Sequence, residues 1–261
     1  MKPYLSFLLF FLPIIVFAQN KKDIFYNFEY TIGSGKMEMM NHFLADTGYF
    51  NGSKYSTPPT NTLSKTHGFE LEIGYQPFHF QDFSFGFSYS FCDIHRTPSI
   101  TIEDPVYPGQ FVSYFGHYQL KLSRFHFLMG SQTHFDKLFH FDENTSQFMQ
   151  RLKLAGVYQI GLGKVQFLQE EYFQDPFAFN LPLLGNAINL NGQLACLLGY
   201  QLNKGTIVNS IGLKLGYNFN FSKNLKDAAD RELIYYQGLA PVPMKLDFSG
   251  WFIGLSFAVA K

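Results

Sequence analysis

The 261-residue chain sets 20 Lys+Arg against 20 Asp+Glu, a formal net charge of zero, and is 46% hydrophobic, 15% charged and 19% aromatic. A neutral chain lacks the basic footprint that nucleic acid requires, and 32 Phe with 16 Tyr are too many for a disordered one. Two cysteines make neither a disulfide framework nor a cysteine-only zinc site.

Met1 to Ala18 begins with one positive charge, Lys2, runs apolar from Tyr4 to Phe17, and closes on Val16-Phe17-Ala18 before Gln19. Small residues at −3 and −1 after a short apolar run are what a signal peptidase reads. A run of about 14 residues is short for a helix crossing a ~30 Å hydrocarbon core. The reading is an export signal, 1–18, cleaved after Ala18, followed by one domain, 19–261.

Beyond it the chain alternates with period two, the mark of strands with one apolar face. Ile24, Tyr26, Phe28, Tyr30 and Ile32 form the first row, and Phe69, Leu71, Ile73 and Tyr75 the second. The clearest row is Phe83, Phe85, Phe87, Tyr89 and Phe91, with Ser or Gly at every intervening position. Next come Tyr114, Tyr118, Leu120 and Leu122, then Phe125, Phe127 and Met129, with parity flipping across Ser123-Arg124. Flanking residues of a two-residue hairpin share a face, so the flip reads as a turn. The same reasoning places turns at Gly163-Lys164, between Leu162 and Val165, and at 203–206, pairing Leu202 with Ile207. Trp251, Ile253, Leu255, Phe257 and Val259 make the last row.

The predicted strands are 24–33, 67–76, 82–92, 111–122, 125–135, 148–162, 165–174, 189–202, 207–221 and 245–259. Short connections fall near 77–81, 123–124, 163–164 and 203–206. Long ones fall near 34–66, 93–110, 136–147, 175–188 and 222–244, the last carrying an expected short amphipathic helix in Ser222 to Tyr236. Short turns on one rim and long loops on the other are the layout of a closed antiparallel transmembrane β-barrel. Ten strands are expected, within bounds of eight and twelve, with short periplasmic turns and long extracellular loops. The aromatic row Phe83, Phe85, Phe87, Tyr89 and Phe91 then faces lipid. Parity continued from Val165 and Phe167 also puts Gln169 and Glu171 on that face; either a bulge near Phe167-Leu168 restores Leu168 and Tyr172 to the outside, or the strand is misassigned or faces another protein.

Export signal, alternating strands and an aromatic-rich last strand, Trp251 to Phe257, resemble those of Gram-negative outer-membrane β-barrel proteins in general. The chain departs from that pattern by ending Ala-Val-Ala-Lys rather than on an aromatic residue. The resemblance implies location in the outer membrane, outer-membrane lipids as surroundings, and the outer-membrane insertion machinery as a partner. It implies no specific function.

The opposite face offers candidate lumen residues: Glu29, Glu70, Glu72, His117, Lys121, His126, Lys153 and Lys214. The expectation is an internal charge network filling the lumen, in a barrel with a structural or small-solute-handling role and neither cofactor nor metal. Two enzyme readings compete with it. Asp93 and His95 share a face at the end of their strand, and omptin-like proteases use acid–histidine pairs at that rim; His134 with Asp136 repeats the spacing. A lipid A deacylase or phospholipase needs a Ser–His pair with an orienting partner, and no such stretch stands out. Cys92 and Cys196 are expected on opposite faces of the wall, hence unbridged.

Overall fold

The computed structural model describes residues 24–35, 65–96, 99–103, 106–140, 146–173, 182–202, 207–237 and 240–260. The expected export signal and the turn 203–206 lie outside the described residues. The strands are β1 Ile24–Ser34, β2 Lys65–Phe78, β3 Gln81–Arg96, β4 Ser99–Glu103, β5 Phe111–His134, β6 Leu152–Phe173, β7 Leu183–Gln201, β8 Ser210–Ser222, β9 Ile234–Gln237, β10 Ala240–Pro243 and β11 Gly250–Ala260. Two single-turn helices, α1 Phe135–Leu138 and α2 Gln147–Arg151, join β5 to β6.

Eight strands close a barrel in the order β3-β2-β1-β11-β8-β7-β6-β5, and β3 pairs with β5 to complete the ring. All eight pairings are antiparallel. β4 pairs with the start of β5 and carries the β3–β5 hairpin beyond the wall. A row of Cα partners starting at Ile24 passes Tyr75, Phe83, Ser131, Tyr158, Leu194, Tyr217 and Trp251. It re-enters β1 at Ser34, one step past the Gly33–Phe252 pair, so the shear is 34 − 24 = 10. Eight strands with that shear tilt by about 43° and leave an interior just wide enough for side chains.

The expected ten strands are therefore eight, and the reason is physical. Segments 111–122 and 125–135 are one strand, β5, and 148–162 and 165–174 are one strand, β6; neither Ser123-Arg124 nor Gly163-Lys164 is a turn. The backbone keeps its alternation, and the surroundings change. Along β5, Phe125 and Met129 point out beside inward Arg124, His126 and Leu128, while Tyr118, Leu120 and Leu122 point in and Lys121 points out. On β6, Tyr158, Ile160 and Leu162 point out, but Val165 and Phe167 point in and Lys164 and Gln166 out. β3 does the same, from outward Phe83 to Phe91 to outward Asp93 and His95 over buried Cys92 and Ile94.

On all three strands the exchange falls within about 4 Å of one height along the barrel axis, at ~3.3 Å per residue and the tilt above. Below it lies an outward apolar band; the ten steps of β8 from Ile211 to Phe221 rise about 25 Å, the height of a transmembrane barrel's apolar girdle. Above it the wall has the polarity of a soluble β-fold. Gln169 accordingly lies inward, and the β5–β6 register runs unbroken through Phe167 and Leu168, so no bulge is needed.

What the upper wall encloses is the chain's own 223–249 connection. Leu225, Leu233, Tyr235, Met244, Leu246 and Phe248 pack against Ile94, Tyr118, Leu120, Leu122, Val165, Phe167 and Ala187 in one buried cluster. Each fully buried Leu or Phe there contributes roughly 1.5–3 kcal/mol. The expected helix in Ser222 to Tyr236 is instead extended chain with turns. Asn186 and Lys226 exchange backbone hydrogen bonds of 2.9 Å, and Leu225, Leu233 and Met244 form a ring of three at 2.8 Å. β9 and β10 add a small hairpin.

The described chain ends, Ile24 and Ala260, the β2–β3 turn, the β5–β6 connection and the β7–β8 connection share one rim; the other four connections of the barrel strands share the far rim. The 136–147 segment, expected among the long loops, thus lies on the rim of the chain ends. Leu202 faces Asn209, not Ile207: its N–H donates to Asn209 O at 2.8 Å. Cys92 is buried, Cys196 is exposed, and both thiols are free. The corrected facing is directly testable. In a chain with Cys92 and Cys196 replaced by serine, Lys121→Cys should label with a charged aqueous maleimide and Leu120→Cys should not. A ten-stranded layout gives the opposite pattern for Lys121.

Candidate functional site

The lumen at mid-band is a single polar network. Lys214 on β8 donates to Glu29 on β1 at 2.9 Å, to Glu70 on β2 at 3.3 Å and to Gln159 Oε1 on β6 at 3.5 Å. Glu72 accepts from Gln159 Nε2 at 2.6 Å, Ser84 Oγ at 3.0 Å and Asn27 at 3.4 Å. Gln193 donates to Glu70 and to Asn218 at 3.4 and 3.1 Å. Two cation–ring contacts support it: Lys214 lies 5.7 Å from the Phe252 centroid, and Arg124 lies 5.2 Å from that of Phe248. Glu29, Glu70, Glu72, Lys214, Gln159 and Gln193 are all buried.

Higher in the lumen Arg124 donates to Asn191 at 3.2 Å, and His126 bonds Asn189. Phe248 of the 223–249 connection sits on Arg124, so the polar network passes straight into the apolar plug. At the rim of the chain ends a second cluster closes the lumen. His134 bonds Asp82 at 2.6 Å and stands 3.8 Å from Asp136, which in turn is 3.7 Å from Lys153. Asp136 also accepts the Leu154 N–H at 3.1 Å. It belongs to α1, and the adjoining Phe135 ring lies so close to Gly156 on β6 that an added Cβ there would sit 3.2 Å from it.

Of the sequence candidates, Glu29, Glu70, Glu72 and Lys214 converge; His126 lies above them, and Lys153 lies at the rim of the chain ends. His117 and Lys121 do not join them. Both lie on the outer face, because the inward row of β5 is Tyr118, Leu120 and Leu122; the His117 ring lies 6.0 Å from His95, itself exposed. Asp93 and His95 bond at 3.1 Å on that same outer face, away from the lumen mouth. Sequence reasoning missed Asp82, Arg124, Gln159 and Gln193. The parity that found Glu70 would have found Asp82, two residues before inward Ser84. Among the described residues no group of three or more His, Cys, Asp or Glu side chains converges as a metal site.

The fold and site together define an antiparallel β-barrel with a 25 Å apolar girdle and a lumen filled by side chains. No family model matches the sequence, and no curated protein matches it. Solved structures similar in architecture are Gram-negative outer-membrane barrels. Ail, the attachment invasion locus protein of Yersinia pestis, seen with the heparin analogue sucrose octasulfate, is 12% identical over 90% of this chain and 97% of its own, at a TM-score of 0.33. Neisserial surface protein A is 10% identical over 91% and 97%, at 0.32. The outer membrane protease OmpT from Escherichia coli is 11% identical over 92% and 96%, at 0.36. The strand count, shear and facing given above rest on this chain's own pairings.

Proposed function

We propose that this chain is a non-conducting integral barrel of the Gram-negative outer membrane with a structural role, holding the folded upper wall and the β3–β5 hairpin outside the membrane. The carrying observation is a lumen filled at three levels: by the buried Asp82, His134 and Asp136 side chains below, the Lys214 network at mid-band, and the 223–249 connection above. A lumen so filled favours a structural role over passage of small solutes. Barrels of this kind keep short turns and chain ends in the periplasm, which puts the far rim outside. Export through the 1–18 signal and assembly by the outer-membrane insertion machinery belong to the same reading. The pair that raised an omptin-like reading, Asp93 and His95, is half exposed on the outer face beside His117 and favours no cleft chemistry. Reconstitution in planar bilayers is the test. Inserted wild-type barrels should give no conductance steps, and stable unitary steps would overturn the proposal.

A further inference from the structure

Two described glycines of the barrel strands lie in the outward row: Gly156 on β6, which the Phe135 ring covers, and Gly192 on β7. Inward glycines have a packing reason: a Cβ at Gly86 would overlap Leu71 O, and one at Gly163 would overlap Phe125 O. A Cβ at Gly192 would meet nothing closer than Phe219 Cβ at 3.8 Å. The register on either side of Gly192 is continuous, so no bulge accounts for it. A strand glycine without a bulge or a bend marks a place where something approaches the backbone closely.

Gly192 floors a groove of about 580 Å³ on the outer wall, running from Phe83 and Ser131 past Ile160 and Leu194 to Phe221. It crosses five strands, about 19 Å at ~4.8 Å per strand spacing, and is open toward the surroundings along its length. Its lining is apolar and lies within the outward apolar band, so it suits a hydrocarbon chain.

The upper end of the groove leads to two cations. Lys164, Ile188 and Lys223 form one outward row across β6, β7 and the continuation of β8: Lys164 is the partner of Ile188, and the Lys223 N–H donates to Ile188 O at 3.1 Å. Lys223 is two residues beyond Phe221, on the same face. The lysines are exposed and stand about 10 Å apart, two strand spacings. Among the described residues neither Lys164 nor Lys223 enters an ion pair, unlike Lys153, Lys214 and Lys226. The row lies just above the apolar band, at headgroup height.

We propose that this face binds one lipid A-type molecule, a bis-phosphorylated glycolipid, with its phosphates at Lys164 and Lys223 and one acyl chain in the groove over Gly192. Two separated cations match two phosphates on a saccharide, where a glycerophospholipid offers one. The proposal rests on the membrane-barrel reading, which puts these lysines on the exterior leaflet. Detergent-purified wild type, Lys164→Gln/Lys223→Gln and Gly192→Leu are each incubated with lipid A or with phosphatidylglycerol, and retained lipid is read by native mass spectrometry. Insertion into phosphatidylcholine vesicles and a heat-modifiable gel shift report the fold separately. Wild type should retain lipid A in preference to phosphatidylglycerol. The double variant should lose about thirtyfold in lipid A affinity, the effect of two lysines near an anionic surface, and Gly192→Leu about tenfold through the filled groove. Unchanged lipid A affinity in either variant, or equal retention of phosphatidylglycerol, overturns the site. Failure of all three chains to insert into vesicles would instead sink the barrel reading.

Discussion

Lys214→Met should destabilise the barrel by about 3–5 kcal/mol, the range for removing one partner of a buried ion pair. Lys214 is the cation within bonding distance of Glu29 and Glu70, in a network that also holds Glu72 through Gln159. Methionine matches its length and leaves its carboxylate partners without water to stabilise them. The loss is therefore larger than the attraction of the pair itself, because an uncompensated buried charge carries its whole desolvation cost. Lys214→Met/Glu29→Gln removes one of those charges and should recover part of the loss. Urea titration of the barrel in lipid vesicles, followed by tryptophan fluorescence of Trp251, reads both variants. In a water-filled lumen the same substitution would cost no more than about 1 kcal/mol, the value of an exposed pair. The measurement thus also tests the sealed interior on which the non-conducting role rests.

How much of this was legible in the sequence depends on whether a strand keeps one environment along its length. In β2, β8 and β11 it does, so alternation alone faced Glu70 and Lys214 inward and Leu71 and Leu215 outward. β3, β5 and β6 pass from the apolar band into the plugged upper wall. There the apolar row moves to the inner face, and equating apolar with outward produces a false flip of parity. Length made the error easy. A spanning strand needs only about 9–11 residues, so the 24 residues of β5 resemble two spans. The turn chemistry argued against it. Tight hairpins favour Asn-Gly or Asp-Gly, and Ser123-Arg124 is neither. The plug was hidden for a different reason: Leu225, Met244 and Leu246 are far apart in sequence and follow no period, and they become a core only where the walls of β3, β5, β6 and β7 meet them.

Phe87→Arg should destabilise by roughly 2–4 kcal/mol, and Phe91→Arg by about 0–1 kcal/mol, although both replace an outward phenylalanine on one strand. Phe87 lies near mid-band, its ring 5.8 Å from that of Phe125 and 5.6 Å from that of Phe127. Phe91 is the last outward apolar residue before Asp93, at the edge where an arginine can reach headgroups and water. In a soluble fold with this row turned inward, both positions would resist arginine, and Ser88 would accept it freely. In the barrel, Ser88 is buried opposite Glu70 on β2 and His126 on β5. Ser88→Arg must therefore enter a packed lumen, at about 1–3 kcal/mol for the excess volume, and the added charge gains from Glu70. Glu70→Gln removes that gain, so it should make Ser88→Arg worse while leaving Phe87→Arg unaffected, a coupling that only an inward Ser88 produces. Folding free energies in vesicles for the four single substitutions and the two pairs decide the facing of β3. A wild-type chain that folds and stays monomeric in buffer, without lipid or detergent, would sink the membrane reading altogether.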